Sequence, residues 1–204
     1  NPPFPVGACT ELSTSPGAYN SDTVTSYEAG SKDKFLNNNL QLSGSVYYLK
    51  WNNIQQQNYL PSCGFQYTTN QGQAVSKGFD LQGEWLLADA LDIDFSLGYT
   101  DAHYTTTAVA GGLLLARKGD KLPGSPWQFS IGAQYNTSIL AHDAFFRADY
   151  QFASRETGVT PSRDPFFDPV YGNVTSYDPA LVGAPETNVV QVRAGMTFGD
   201  FNVA

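Results

Sequence analysis

Few residues of this sequence are of a type and spacing to do chemistry. Asp101 and His103 stand two apart in LGYTDAHY, which puts both on one face of an extended strand, where an Asp/His pair can activate water. No nucleophile or second acid pair accompanies them, so the reading is rim polarity and no catalysis is expected. Asp92 and Asp94 repeat the two-residue spacing nine residues earlier in the same extended stretch and read as polarity of a wetted face, or as partners for Arg or Lys. Seven more charges share one strand parity each: Glu28, Lys32, Asp80, Glu84, Arg147, Asp149 and Arg193. Opposite signs on neighbouring strands can pair across such a wall, as Arg147 and Asp149 against Arg193, and a ladder of that kind stiffens it. Contact with a passing polar ligand is the alternative role.

Ligand contact is expected instead from long connecting segments, because binding residues concentrate on loops held by a rigid scaffold. The aromatic and cationic candidates there are Tyr59, Phe65, Tyr67, Tyr104, Arg155, Arg163, Phe166, Phe167 and Tyr171, for which packing within the loops is the plainer role. Cys9 and Cys63 are the two cysteines, each in a loop-like context. In an oxidising compartment they read as a bridge between neighbouring outer loops, with two unrelated free thiols as the alternative. Neither His103 nor His142 has ligand spacing to them, so no metal site or cofactor is expected.

The elements that must position these residues show a period of two. In LDIDFSLGYTDAH, Leu91, Ile93, Phe95, Leu97 and Tyr99 alternate with Asp92, Asp94, Ser96, Gly98 and Thr100. Such a strand lies between two different surroundings. The same pattern predicts strands at Val24 to Leu36, Leu40 to Trp51, Val75 to Leu87, Trp127 to Asn136, Phe145 to Ala153 and Asn188 to Phe198, with a last one beginning at Phe201. Asn37 to Asn39, Ala88 to Ala90, Ala141 to Asp143 and Gly199 with Asp200 read as tight turns. Residues 1–23, 52–73, 104–126 and 154–186 read as long loops, with an extended piece at Phe65 to Thr69.

Composition separates the candidate surroundings. Only 15% of the 204 residues are charged, against about 25% in typical soluble domains, while 14% are aromatic. Neutral polar residues suit a wet lumen and aromatics suit membrane-interface girdles. The net charge of -8 argues against nucleic-acid binding, which needs clustered Lys and Arg. No apolar run reaches the roughly 18 residues of a membrane-spanning helix. The opening NPPFPVGAC lacks the basic start and apolar core of a signal peptide, and is not expected to be the start of a gene product.

The connections alternate short and long, as the periplasmic turns and extracellular loops of an outer-membrane barrel do. The expectation is therefore an all-β antiparallel transmembrane barrel segment: residues 1–23 as an extracellular loop region and 24–204 as a partial barrel. Leu91 is then at the periplasmic end of its strand and His103 at the extracellular rim. Tyr48, Trp51, Tyr99, Trp127, Tyr135 and Tyr150 read as interface or lipid-facing aromatics. Seven strands and a stub cannot close without leaving unsatisfied backbone in lipid, so the chain is expected to be an internal piece of a larger barrel.

Several segments carry a family resemblance. SYEAGSKDKFLNNNLQLSGSVYYLKWNNIQ, SKGFDLQGEW, LGYTDAHY and KLPGSPWQFSIGAQY, in this order and spacing, resemble the carboxyl-terminal half of TonB-dependent outer-membrane receptors. The resemblance implies a 22-stranded barrel of the Gram-negative outer membrane, with a plug domain, energised by the TonB complex. It implies active import of scarce nutrients such as ferric siderophores, cobalamin or glycans. The residues given show no plug, TonB box or terminal aromatic strand. A passive porin with the same wall is the first alternative, and a soluble β-sandwich binding module the second.

Overall fold

The computed structural model describes residues 18–60, 65–70, 72–110, 113–157, 183–198 and 201–203. Every expected strand forms. In chain order they are β1 (Thr23–Phe35), β2 (Leu40–Asn52), β5 (Gln73–Ala88), β6 (Leu91–Tyr104), β9 (Trp127–Ile139), β10 (His142–Ala153), β11 (Thr187–Phe198) and β12 (Phe201–Val203). They make one antiparallel eight-stranded sheet in the order β1-β2-β5-β6-β9-β10-β11-β12, each long strand beside its neighbour in sequence. Among the described residues no second sheet packs on either face. The apolar side chains of alternate positions stay uncovered, among them Val46, Leu81, Ile131, Phe146, Val190 and Val192. A β-sandwich would bury that face against a second sheet, which the described residues do not supply.

Two connections contain more structure than the sequence announces. Residues 55–70 form a hairpin, β3 (Gln55–Leu60) with β4 (Phe65–Asn70), and residues 108–116 form a smaller one, β7 (Ala108–Ala110) with β8 (Leu113–Ala116). Gln55, Gln56 and Gln57 give β3 no alternation, and the three- and four-residue strands of the second hairpin are too short to establish a period. The turn expected at Ala141 to Asp143 lies instead at Leu140 and Ala141, because Ile139 already pairs with His142. Both turn residues take positive φ, 52° and 65°, without the Asn or Gly that would signal it. Asn37 and Asn38, at 58° and 71°, do supply that signal between β1 and β2, although Leu36 joins them at 53°.

Among the described residues, the cluster of buried hydrophobics sits at the long-loop end. Ile54, Ala74 and Tyr104 are buried there, with Trp51 and Leu122 packed against them. Residues 119–122 run back along β6: Tyr104 donates its amide to Asp120 at 2.8 Å and Leu122 donates to Ala102 at 3.0 Å. Trp51 thus departs from the expected lipid-facing set. Its register partners are Val24 and Ala74, it shares a face with Tyr47 rather than Tyr48, and its indole Nε1 donates to Asp22 at 2.9 Å. The other aromatics of that set keep apolar parity, and Phe79, Tyr99 and Trp127, in register across three strands, pack as mutually tilted rings with centroids 4.5 Å apart for Tyr99 and Trp127.

Candidate functional site

Paired residues of an antiparallel sheet point to the same side, so the register can be read across strands as rows. One row runs Gln41, Glu84, Asp94, Gly132, Asp149, Gln191, and the next runs Asp92, Gln134, Arg147, Arg193. Above them lie Lys32, Ser43, Gln82, Ser96, Ser130 and Gln151, then Gly30, Ser45, Asp80, Gly98 and Gln128. Glu28 shares the last row with Tyr47, Gly78 and Thr100. The alternation of seven strands has therefore merged into one polar face, and all seven charges singled out above stand on it. Small side chains leave a shallow recess of about 360 Å³ there, lined in part by Lys32, Ser43, Ser45, Asp80 and Gln82.

Charge pairing on this face centres on Arg147. Its guanidinium Nη2 lies 2.8 Å from Asp94 and 2.6 Å from Asp149, and Nε donates to Asp149 at 2.8 Å. Arg193 approaches the other Asp149 oxygen at 2.9 Å. The network thus crosses β6, β10 and β11, passing over β9 at Gly132. A side chain there would run into it: a Cβ would meet the Arg147 guanidinium and lie 2.8 Å from both Asp94 and Asp149. Asp92 accepts from Asn136 at 3.0 Å and takes no part in the Arg147 cluster. Nearby, Ser96 and Ser130 share a 2.8 Å hydrogen bond, and Tyr47 reaches over Gly78 to Thr100 at 2.6 Å.

The ligand-contact candidates of the connections divide. Tyr104 is the last residue of β6 rather than a loop residue, and at 5% exposure its ring belongs to the small core. Tyr67 lies in β4 and is also buried; its hydroxyl has no hydrogen-bond partner among the described residues, and burial pushes its pKa up. Arg155 is exposed beyond β10. Tyr59 and Phe65 belong to the β3–β4 hairpin, with side chains outside the described set. Arg163, Phe166, Phe167 and Tyr171, like Cys9 and Cys63, lie outside the described residues.

Asp101 and His103 continue the parity of Leu97 and Tyr99, and so stand on the apolar face, 3.5 Å apart. Lys77 and Lys121 both reach the Asp101 carboxylate, Lys77 at 3.8 Å. Asp101 is thus the shared acceptor of an ion-pair cluster with two ammonium groups. Sequence reasoning passed over Lys50, Lys77 and Lys121 as a group. The parity of Lys50 with Tyr48, and of Lys77 with Phe79, was the available signal.

A face of neutral polar residues and paired charges, backed by an uncovered apolar face, is a wall between water and something apolar. Comparison with known proteins names the wall. The family described as TonB dependent receptor-like, beta-barrel, matches residues 9–198. The chain belongs to the TonB-dependent receptor β-barrel family. The ferric yersiniabactin uptake receptor FyuA from Yersinia pestis has a similar fold, with a TM-score of 0.60 at 12% identity. The match covers 85% of this chain and 22% of that one, so the chain spans less than a quarter of that receptor's length. No curated protein sequence matches. TonB-dependent receptor barrels belong to outer-membrane transport receptors, and the eight-stranded sheet is a stretch of such a barrel's wall.

Proposed function

We propose that the chain is part of a TonB-dependent active importer of a scarce nutrient, with a ferric siderophore as the ligand class, in the outer membrane of a Gram-negative bacterium. The carrying observation is the continuous polar face, which provides a wetted surface the length of the strands while its reverse remains apolar. In this reading the apolar face meets outer-membrane lipid, and the short-turn end, with Leu91, faces the periplasm. The long-loop end, with His103, faces the exterior. The TonB complex acts through a plug domain of the whole receptor. Glu28, Lys32, Asp80, Glu84, Arg147, Asp149 and Arg193 are lumen-facing. The ligand is met first at the outer connections, for which Arg155, Tyr59, Phe65, Arg163, Phe166, Phe167 and Tyr171 are the candidates and Cys9 with Cys63 the proposed staple. A siderophore ligand is supported by the fold likeness to a receptor whose name records ferric yersiniabactin uptake.

The test is uptake of radiolabelled iron by cells carrying or lacking the full-length protein, under iron restriction. The expected result is uptake of a ferric siderophore that requires this protein and stops when the proton-motive force is collapsed. Uptake that persists without that force, and grows in proportion to external solute, would make the wall that of a passive porin. Uptake of sugars alone would remove the siderophore assignment and keep the importer.

A further inference from the structure

The apolar face carries lysines at one end only. Of six lysines in the chain, Lys50, Lys77 and Lys121 stand on this face, all beyond the Phe79–Tyr99–Trp127 aromatic row toward the long-loop end. Two register rows hold them. One runs Tyr27, Tyr48, Lys77, Asp101 and the next Thr25, Lys50, Val75, His103, with Lys121 bridged to His103. With adjacent strands about 4.8 Å apart, three ammonium groups share one corner of the wall. Among the described residues the one carboxylate paired with them is Asp101, itself only 16% exposed, whereas Lys77 is 56% and Lys121 48% exposed. Lys50 makes no ion pair among the described residues and lies 5.9 Å above the Tyr48 ring.

The local excess of positive charge is thus two, in a chain whose net charge is -8. A solvated surface of such a chain has no need to gather cations in one place. At the other end of the same face, Phe35, Leu40, Trp85, Ile93 and Tyr135 carry no cation. Aromatic rings mark the depth of the membrane interface, and lysines just beyond such a belt sit at the level of headgroups. The charge that complements them there is phosphate.

We propose that Lys50, Lys77 and Lys121 form a docking site for the phosphorylated headgroup of an outer-leaflet lipid, against the outer wall of the receptor. Tyr48 and Tyr27 flank its acyl chains, and Asp101 holds Lys77 and Lys121 in place while limiting their pull. The site rests on the orientation proposed above, in which the long-loop end faces outward.

Native mass spectrometry of the full-length protein in a neutral detergent tests it, with short-chain phosphatidate and phosphatidylcholine as probes. Phosphatidate is expected to bind at least about tenfold more tightly than phosphatidylcholine, at roughly fivefold per lysine near the surface. Substituting Lys50→Gln, Lys77→Gln and Lys121→Gln together should erase that preference. Lys50→Gln alone breaks no ion pair and should weaken phosphatidate binding roughly fivefold even if the triple variant fails to fold. Asp101→Asn should strengthen it several-fold. Equal preference in the wild type and in a folded lysine variant would overturn the site. Full displacement of phosphatidate by an equal concentration of inorganic phosphate would also overturn it, showing a free-anion site in place of a lipid site. Failure of the orientation appears separately: the phosphatidate preference stays intact while an antibody to the 117–121 segment labels spheroplasts and not whole cells.

Discussion

The sheet holds two clusters of cations around aspartates, one on each face, with arginines in the first and lysines in the second. The Arg147 cluster sits on the polar face within the sheet, in contact with both Asp94 and Asp149. The Asp101 cluster sits on the apolar face at the long-loop end, gathering Lys77 and Lys121. In the first, two carboxylates surround a guanidinium and Arg193 completes a chain of contacts across the wall. In the second, one carboxylate stands among an excess of ammonium groups. The difference teaches that a charge in such a wall takes its partners from where the register places it. Strand parity and height along the strand decide whether it joins a network on the polar face or stands at the long-loop end of the apolar one.

The comparison can be broken most sharply at mid-strand. Leu97→Arg places a charge on the apolar face at the middle of β6, and is expected to cost about 2–4 kcal/mol in urea unfolding from lipid vesicles. Ser96→Arg, one residue away on the polar face, should cost less than about 1 kcal/mol. Equal losses would show that the two faces see the same surroundings.

Glycines come next in size. Gly132→Ala pushes a Cβ into the Arg147 network and should cost about 1–3 kcal/mol, since the neighbours are held by several contacts. At Gly98 a Cβ meets only Asp80, at 3.5 Å, so Gly98→Ala should stay within about 0.5 kcal/mol in the same unfolding assay.

The smallest effect separates the clusters themselves. Arg147→Gln leaves Asp94 and Asp149 facing each other and should lower the urea midpoint measurably. Lys77→Gln removes one exposed 3.8 Å pair and should remain within about 0.5 kcal/mol of the wild type. A larger loss from Lys77→Gln than from Arg147→Gln would reverse the assignment of structural weight.

Much of the wall was legible in the sequence because a period of two is enforced wherever a strand separates two solvents. LDIDFSLGYTDAH shows that alternation, and β6 spans it and one residue more. Asp101 and His103 read as rim polarity, and their parity with Tyr99 already placed them on the apolar face. The extended piece expected at Phe65 to Thr69 forms as β4, but its partner β3 and the hairpin of β7 and β8 were not legible, since strands beyond the sheet pack by local contacts and need no alternation. Leu140 and Ala141 hid their turn for another reason. The register of Ile139 and His142 imposes left-handed backbone on residues that do not favour it. The pairing of Arg147 with Asp94 across β9 needed the register as well, because Gly132 gives no sign in the sequence of the space it provides.

The most direct test of the central claim, that the two faces of this sheet meet water and lipid, is thiol labelling along β6. Asp94→Cys, Phe95→Cys, Ser96→Cys, Leu97→Cys and Gly98→Cys are made one at a time in the full-length protein, with Cys9 and Cys63 replaced by serine, and reconstituted in vesicles. The account predicts a period of two: positions 94, 96 and 98 react with a water-soluble thiol reagent, whereas a fluorophore at 95 or 97 is quenched by spin-labelled lipid. Uniform reactivity along the strand, or quenching at 94 and 96, would contradict it.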